Sequence, residues 1–150
     1  MAATRTATVT WNGSLAEGSG TVSAGSSGLF ADLPVSWGTR TEAPAGQTSP
    51  EELLASAHAS CFSMALAGGL ARAGTPPDHV HVSATVTFDK VDDAWTVTRS
   101  ELDVVGVVPG IDEEAFAAAV DGARANCPVS RALAGNVEIL ATATLEDEHD

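Results

Sequence analysis

The chain has 150 residues, the size of one ordinary domain, and can bury a core without a metal or several disulfides. Twenty Asp and Glu against seven Lys and Arg give a net charge of −13, which repels phosphate backbones and anionic lipid, so neither nucleic acid nor a membrane surface is expected as a partner. With no apolar leader and no apolar run near the roughly 20 residues of a membrane span, we expect one soluble, cytoplasmic domain over residues 1–150.

The first part of the chain has the alternation that is typical of β-strands. Residues 4–11 alternate β-forming side chains, and turn residues separate them from a second strand-like segment at 20–24. Residues 29–42 can hold one or two further strands, although Pro34 and Gly38 weaken this pattern. The chain is therefore predicted to open with a hairpin or a short meander.

A long helix is predicted over residues 50–73. Ser49 is a suitable N-cap, proline and acidic residues follow it, and Glu52 can close a capping box with Ser49. Gly74 and the prolines after it stop the helix. Because residues 53–70 show no polar face, we expect this helix to be buried on all sides.

The second half of the chain predicts a hairpin, two helices and a last strand. These elements are 79–90 paired with 94–108, a helix over 113–126 with Asp112 as N-cap, a short helix from Pro128 closed by Gly135, and a strand over 137–146. The acidic end, residues 147–150, is expected to be solvated. Hairpin connections without βαβ alternation indicate the α+β class.

The chain has two cysteines, Cys61 in the long helix and Cys127 directly before a proline. There is no CxxC motif and no Cys/His cluster at zinc spacing, so no structural metal is expected. In a reducing compartment the two thiols are either buried bystanders or a redox pair.

Position alone leaves both readings open. Cys127 can cap a short helix as a thiolate, or it can fill core space as a small hydrophobic residue. The Cys61 thiol, in an apolar helix, should have a raised pKa and be inert unless a cation or donor lies against it. His58, one turn earlier, and Arg40 are the candidates, and their ordinary readings are a hydrogen-bonded core histidine and a surface charge.

Several segments together carry a family resemblance. The stretches SPEELLASAHASCFSMAL and NCPVSRAL, preceded by GTRTE and by WNG with GSGTVS, resemble the OsmC branch of the OsmC/Ohr family from Trp11 to Ala143. The resemblance implies an OsmC-like fold, with antiparallel sheets packed around a long central helix in an intertwined homodimer. It also implies a cofactor-free peroxidase that acts in oxidative-stress defence and reduces organic hydroperoxides, and less well hydrogen peroxide, at the subunit interface.

The resemblance also implies roles for four residues. Cys61 matches the peroxidatic nucleophile and Cys127 the resolving thiol, so that a Cys61–Cys127 disulfide would form and an external dithiol, of lipoyl type or a thioredoxin, would reduce it. Arg40 matches the arginine that holds the thiolate, and Glu51 matches the acidic residue that orients this arginine. The segment between Arg40 and Glu51 has one residue more than the family pattern.

Helix geometry constrains Glu51. It precedes Cys61 by ten residues, which corresponds to about 15 Å along a continuous helix, too far for its carboxylate to act on the sulfur of the same chain. Either the helix is broken between the two residues, or a partner chain supplies the glutamate.

Two rival functions compete with the peroxidase. The first is a catalytically inactive OsmC-fold protein with a binding or structural role, in which neither thiol reacts quickly with peroxide. The second takes Cys61 and His58 as nucleophile and base for acyl transfer or hydrolysis. This second reading would make Cys127 dispensable.

Overall fold

The computed structural model describes residues 1–148, so the end of the tail that we expect to be solvated, residues 149–150, lies outside the described part. The described chain forms two compact units, Met1–Leu53 and a second unit that begins at Leu54. Together they have the mixed helix and strand content of the α+β class, as predicted. The expectation of one domain over residues 1–150 stays a prediction.

The first unit contains a three-stranded antiparallel sheet and a short helix. Its elements are β1 (Ala7–Asn12), β2 (Ser19–Ala24), β3 (Leu33–Val35) and α1 (Gly38–Thr41), with strand order β1-β2-β3. The segment 29–42 thus holds one strand of three residues and a helical turn, where one or two strands were expected. The Thr39 hydroxyl oxygen lies 2.8 Å from both the Ser36 and the Thr48 carbonyl oxygens, so its single proton has two possible acceptors that hold this turn in place.

The long helix α2 (Pro50–Arg72) begins and ends as predicted. The Ser49 hydroxyl accepts a hydrogen bond from the Glu52 N–H at 3.1 Å, and Gly74 follows the helix with a φ of +86°. The backbone stays helical throughout, so the first explanation for Glu51, a break between it and Cys61, is wrong.

The expected burial of α2 on all sides is wrong for the single chain. One row is buried, namely His58, Phe62, Leu66 and Leu70, whereas Met64 is 73% exposed. The exposed face carries mostly small side chains, which the sequence pattern did not separate from core residues. By length and composition alone this helix could also cross a membrane, although we expected no segment of the chain to meet that criterion. The core helix of a soluble protein meets the same criterion. Its buried row packs into the core of the second unit.

The second unit contains a mixed sheet and two further helices. Its elements are β4 (His79–Val91), β5 (Ala94–Val107), α3 (Glu113–Asn126), α4 (Pro128–Leu133) and β6 (Glu138–Leu145), with strand order β4-β5-β6. Asp92 and Asp93 both have positive φ, as a two-residue hairpin turn requires. The expectation of antiparallel sheets throughout is wrong, because β6 pairs parallel to β5. The reason is that α3 and α4 lie between these strands and form the long crossover that parallel pairing needs.

The core of the second unit joins all of its layers. It is formed by Phe62, Leu66 and Leu70 from α2, Leu102 and Val104 from β5, Phe116, Val120 and Ala123 from α3, and Val108 and Cys127 from the connecting segments. Cys127 is therefore part of this core, and Cys61 is partly buried against it.

The N-cap of α3 permits a first testable prediction. The Asp112 side chain accepts a hydrogen bond from the Ala115 N–H at 2.8 Å. Asp112→Ala should lower the free energy of unfolding by about 1 kcal/mol, because this N–H loses its partner. Asp112→Asn removes the same charge but keeps an acceptor, and should cost only a fraction of this in urea denaturation. Equal losses in the two variants would show that the charge, and not the cap, stabilises the helix.

Candidate active site

The two cysteines are direct neighbours in the second unit. Cys61 is half-buried on α2, and Cys127 is fully buried at the junction of α3 and α4. Their side chains hydrogen-bond to each other, and both are free thiols. The fold thus brings together two sulfur atoms that are far apart in the sequence.

Cys61 has a raised pKa in the single chain, as expected from its apolar helix. Burial is the main cause, and the neighbouring Cys127 raises the pKa further, while the Val129 N–H partly offsets both effects. No cation is among these influences within the described residues. A thiolate at Cys61 therefore needs a positive charge from elsewhere.

Cys127 has a pKa below its ordinary value. Burial acts to raise this pKa, but the backbone N–H and hydroxyl of Ser130, together with Cys61 and the Val129 N–H, outweigh it. Cys127 is the N-cap residue of α4, as predicted, although its side chain closes no regular capping hydrogen bond. The donors therefore act as polar neighbours of the sulfur, and Cys127 is the thiol of the pair that ionises more readily.

His58 is fully buried next to this pair and is hydrogen-bonded on both sides of its ring. Its Nδ1 lies 2.7 Å from the Ser100 hydroxyl on β5, and its Nε2 lies 2.7 Å from the Ser130 hydroxyl on α4. Burial lowers the pKa of this imidazole. The geometry agrees with the ordinary reading, a hydrogen-bonded core histidine, and gives no direct His58 contact for a base acting on Cys61.

Arg40 and Glu51 form an ion pair within the first unit. The Arg40 Nη2 lies 2.6 Å from Glu51 Oε1, and the Arg40 Nε donates to both carboxylate oxygens at 3.0 and 3.2 Å. The two side chains are 28% and 9% exposed, so the pair is largely shielded from water. Arg40 is therefore not an ordinary surface charge, since a buried carboxylate fixes the direction of its guanidinium.

An apolar cavity of about 460 Å³ adjoins Arg40 in the first unit. It is lined by Val9, Trp11, Leu15, Val22, Val35, Ser36, Trp37, Arg40, Pro50 and Leu53. The guanidinium carbon of Arg40 lies 5.6 Å from the centre of the Trp37 ring. If this segment had been predicted as helical, the i, i+3 spacing of Trp37 and Arg40 would have indicated that the two side chains are neighbours.

Two adjacent, differently perturbed thiols on an α+β unit define a candidate thiol redox protein. Within residues 1–148, no group of three or more His, Cys, Asp and Glu side chains could hold a metal ion. The chain belongs to the OsmC family, since the family model described as OsmC-like protein matches residues 43–141.

Relatives with curated names agree with this membership. The chain is 41% identical to the peroxiredoxin OsmC of Escherichia coli, over 86% of this chain and 89% of that protein. It is 30% identical to an organic hydroperoxide resistance protein of Xanthomonas axonopodis pv. citri, over 63% of this chain and 66% of that protein.

Solved structures show the same fold. The organic hydroperoxide resistance protein OhrB of Bacillus subtilis superposes with a TM-score of 0.68 at 28% identity, covering 94% of this chain and 98% of that one. An organic hydroperoxide resistance protein from Elizabethkingia anophelis superposes with a TM-score of 0.72 at 22% identity, covering 97% and 100%, and supports the fold alone.

Proposed function

We propose that this chain is a thiol-dependent peroxidase that reduces organic hydroperoxides in oxidative-stress defence. The observation that carries the proposal is the direct contact between Cys61 and Cys127. Both are free thiols in a fold whose relatives are named for peroxiredoxin function and organic hydroperoxide resistance. Adjacent thiols are the requirement for a disulfide that forms without rearrangement of the core.

The reaction follows from the chemistry of the pair. The Cys61 thiolate attacks one oxygen of the peroxide, the O–O bond breaks, the alkoxide leaves as an alcohol after protonation, and Cys61 becomes a sulfenic acid. The Cys127 sulfur then displaces the hydroxyl oxygen from the Cys61 sulfur, and a disulfide and water result. An external dithiol, for which we propose a lipoyl-type compound, returns the disulfide to two thiols.

Cys61 takes the peroxidatic role in this proposal because of access. It is half-buried, whereas Cys127 is fully buried and cannot meet a substrate first. Its raised pKa then has to be overcome by a cation. A guanidinium suits this role, since it stays charged in an apolar site and presents several donors to the sulfur and the leaving oxygen.

We propose that the cation is Arg40 of a partner subunit in a homodimer. Glu51 and Cys61 are ten residues apart on the continuous helix α2, which corresponds to about 15 Å. The Arg40–Glu51 pair is already assembled in its own unit, so one chain can present it complete to the Cys61 of another. The exposed face of α2, with its small side chains and Met64, supports the idea that a second copy covers this helix.

The apolar cavity beside Arg40 supports a preference for organic peroxides over hydrogen peroxide. Its wall is formed by aliphatic and tryptophan side chains, so a hydrocarbon substituent can leave water there while the peroxide group remains beside the guanidinium. We further propose that the protein acts in the cytoplasm, where dithiol reductants keep the cysteine pair reduced.

The proposal is tested by mixing the reduced protein with one equivalent of cumene hydroperoxide and following free thiols and intact mass over seconds. The wild type should lose both thiols and the mass of two hydrogen atoms. Cys127→Ser should stop at a trapped sulfenic acid, and Cys61→Ser should not react.

The same experiment distinguishes the peroxidase from its rivals. If both thiols persist in folded protein, the peroxidase assignment fails, and either the inactive binding or structural role or the acyl-transfer enzyme takes its place. If Cys61→Ser consumes peroxide as fast as the wild type, the assignment of the nucleophile is wrong. An acyl-transfer enzyme would leave the thiols unoxidised and would work without Cys127.

A further inference from the structure

The buried His58 has no part in the peroxidase chemistry described above, although only Ser130 separates it from Cys127. Its two ring nitrogens contact Ser100 and Ser130, each at 2.7 Å, and all three side chains are at most 1% exposed. Ser130 in turn acts through its hydroxyl on the Cys127 sulfur. A continuous polar chain therefore runs from Ser100 through His58 and Ser130 to Cys127.

The numbers of donors and acceptors determine which atom donates in each hydrogen bond from Ser100 through His58 and Ser130 to Cys127. Within residues 1–148, the only hydrogen-bond partner of the Ser100 hydroxyl is the Nδ1 of His58. If Nδ1 carried the ring proton, the Ser100 hydroxyl proton would be buried without an acceptor, which is costly. If Nε2 carries the proton, Ser100 donates to Nδ1, Nε2–H donates to Ser130, and the Ser130 hydroxyl is free to donate towards Cys127.

The reverse tautomer would also turn Ser130 away from the sulfur. A hydroxyl has one proton, so a Ser130 hydroxyl that donated to His58 Nε2 could not donate to Cys127 at the same time. Burial lowers the pKa of His58 and keeps the ring neutral, so the choice lies between the two neutral tautomers. Only the Nε2–H tautomer provides an acceptor for the Ser100 hydroxyl proton, the His58 ring proton and the Ser130 hydroxyl proton.

We propose that His58 is a positioning residue for Cys127: its Nε2–H tautomer holds the Ser130 hydroxyl as a donor towards the Cys127 sulfur and stabilises the thiolate that resolves oxidised Cys61. This role rests on the proposed function, because a resolving thiolate is needed only if Cys61 becomes a sulfenic acid. His58 transfers no proton to substrate and touches neither reacting sulfur. It acts through Ser130.

The Cys127 thiolate donates an electron pair to the sulfenic sulfur of Cys61, the S–S bond forms, the S–O bond breaks, and hydroxide leaves and takes a proton from solvent. The Cys127 sulfur is oxidised and the Cys61 sulfur is reduced. The thiolate charge disappears in this step, so the Ser130 donor favours the reactant thiolate before attack, and it raises the fraction of protein ready to resolve at neutral pH.

The titratable groups that face Cys127 are few. From α2 they are Cys61, which hydrogen-bonds to it, and His58 through Ser130. The segment after α3 contributes backbone N–H groups of Val129 and Ser130, and β5 contributes the uncharged Ser100. A change in the pKa of Cys127 can therefore be assigned to the His58 chain once Cys61 is removed.

The test uses Cys61→Ala protein, in which Cys127 is the remaining thiol, and follows the ultraviolet absorbance of the thiolate against pH. His58→Gln can place a donor where Nε2 stands and should keep the pKa of Cys127 close to that of the parent. His58→Asn reaches only the Nδ1 position and should raise this pKa by about one pH unit, since a hydrogen bond to an ionised group is lost. Ser130→Ala should raise it similarly, and Ser130→Thr should restore it.

In protein with both cysteines, His58→Asn should slow disulfide formation after the sulfenic acid about tenfold at neutral pH. The reaction of Cys61 with peroxide should not slow, because a protonated Cys127 raises the pKa of Cys61 less than a thiolate does. A merely structural histidine would change unfolding without moving the pKa of Cys127. If folded His58→Asn and His58→Gln proteins titrate alike, the positioning role is overturned.

A second measurement needs no substitution of His58. The ¹⁵N chemical shifts of its ring report the tautomer in the reduced protein, and a proton on Nδ1 would overturn the proposal even if the variants did not fold. Different results would contradict the proposed peroxidase function and the proposed role of His58. Absence of a disulfide after peroxide contradicts the peroxidase, whereas a Cys127 pKa that is indifferent to Ser130 and His58 contradicts the role of His58.

Discussion

Arg40→Ala is expected to lower the second-order rate constant for cumene hydroperoxide by about 10²–10³-fold at neutral pH. Two effects contribute to this decrease in the rate constant. Without the guanidinium the Cys61 thiol keeps the raised pKa that burial and Cys127 give it, so less thiolate is present. The leaving oxygen also loses a charged donor in the transition state. The measurement is stopped-flow reaction of the reduced protein with peroxide, with unfolding controls.

The pH dependence separates these two effects. A thiol reacts as its thiolate, which is present above its pKa, so a raised pKa makes the rate of Arg40→Ala climb about tenfold per pH unit until that pKa is passed. If the partner's Arg40 lowers the Cys61 pKa as proposed, the wild type should reach its plateau at a lower pH than Arg40→Ala. The part of the defect that remains at high pH then measures the contribution of the guanidinium to the transition state. A variant with the wild-type profile and plateau would exclude Arg40 from the site.

Two matched variants give this prediction its controls. Arg99 pairs with Glu101 at 3.6 Å on the surface, with both side chains 45% exposed, so Arg99→Ala should leave the rate unchanged. Arg40→Lys keeps a charge but cannot make the contacts of both Nε and Nη2 with Glu51, and should fall between wild type and Arg40→Ala.

Local signals in the sequence predicted the elements that local contacts define. The α2 cap at Ser49 and its end at Gly74, the α3 cap at Asp112 and the hairpin turn between β4 and β5 each depend on residues within a few positions of one another. The parallel pairing of β6 could not be predicted in this way. It depends on where a crossover of two helices returns the chain, which is a property of the packed unit.

The candidate site shows the same division. The contact between Cys61 and Cys127 was expected from family resemblance alone, since no spacing rule brings two distant helical segments together. His58 was recognised as a core histidine or a base, but its serine partners lie 42 and 72 residues away and carry no sequence signal of their own. The helical turn at Arg40 was missed because its stability comes from contacts with Thr48 and Glu51, which propensity does not include.

Subunit complementation shows whether Arg40 and Cys61 of one site come from different chains. If Arg40 of one chain serves Cys61 of another, the Arg40→Ala homodimer is strongly impaired at neutral pH and the Cys61→Ser homodimer is inactive. A heterodimer of the two has one intact site, built from the Arg40 of the Cys61→Ser chain and the Cys61 of the Arg40→Ala chain. Random re-association of equal amounts gives half heterodimers with one working site each, so about a quarter of wild-type activity should return.

The same mixture yields no activity beyond that of the separate variants if Arg40 and Cys61 act within one chain, because neither chain then holds both residues. Since Arg40→Ala alone retains little activity at neutral pH, recovery in the mixture is readily distinguished from its absence. Glu51→Ala mixed with Cys61→Ser should recover activity in the same way, since Glu51 and Arg40 are joined by two donors within one unit and should act as a pair.

Mixing Arg40→Ala with Glu51→Ala is the matched negative control. Each site would then combine an intact Cys61 with a pair that lacks either its cation or its carboxylate. No recovery is expected beyond the activity of the separate variants. Recovery with Arg40→Ala but not with Glu51→Ala would mean that the carboxylate serves the cysteine of its own chain, which the length of α2 between Glu51 and Cys61, about 15 Å, does not allow.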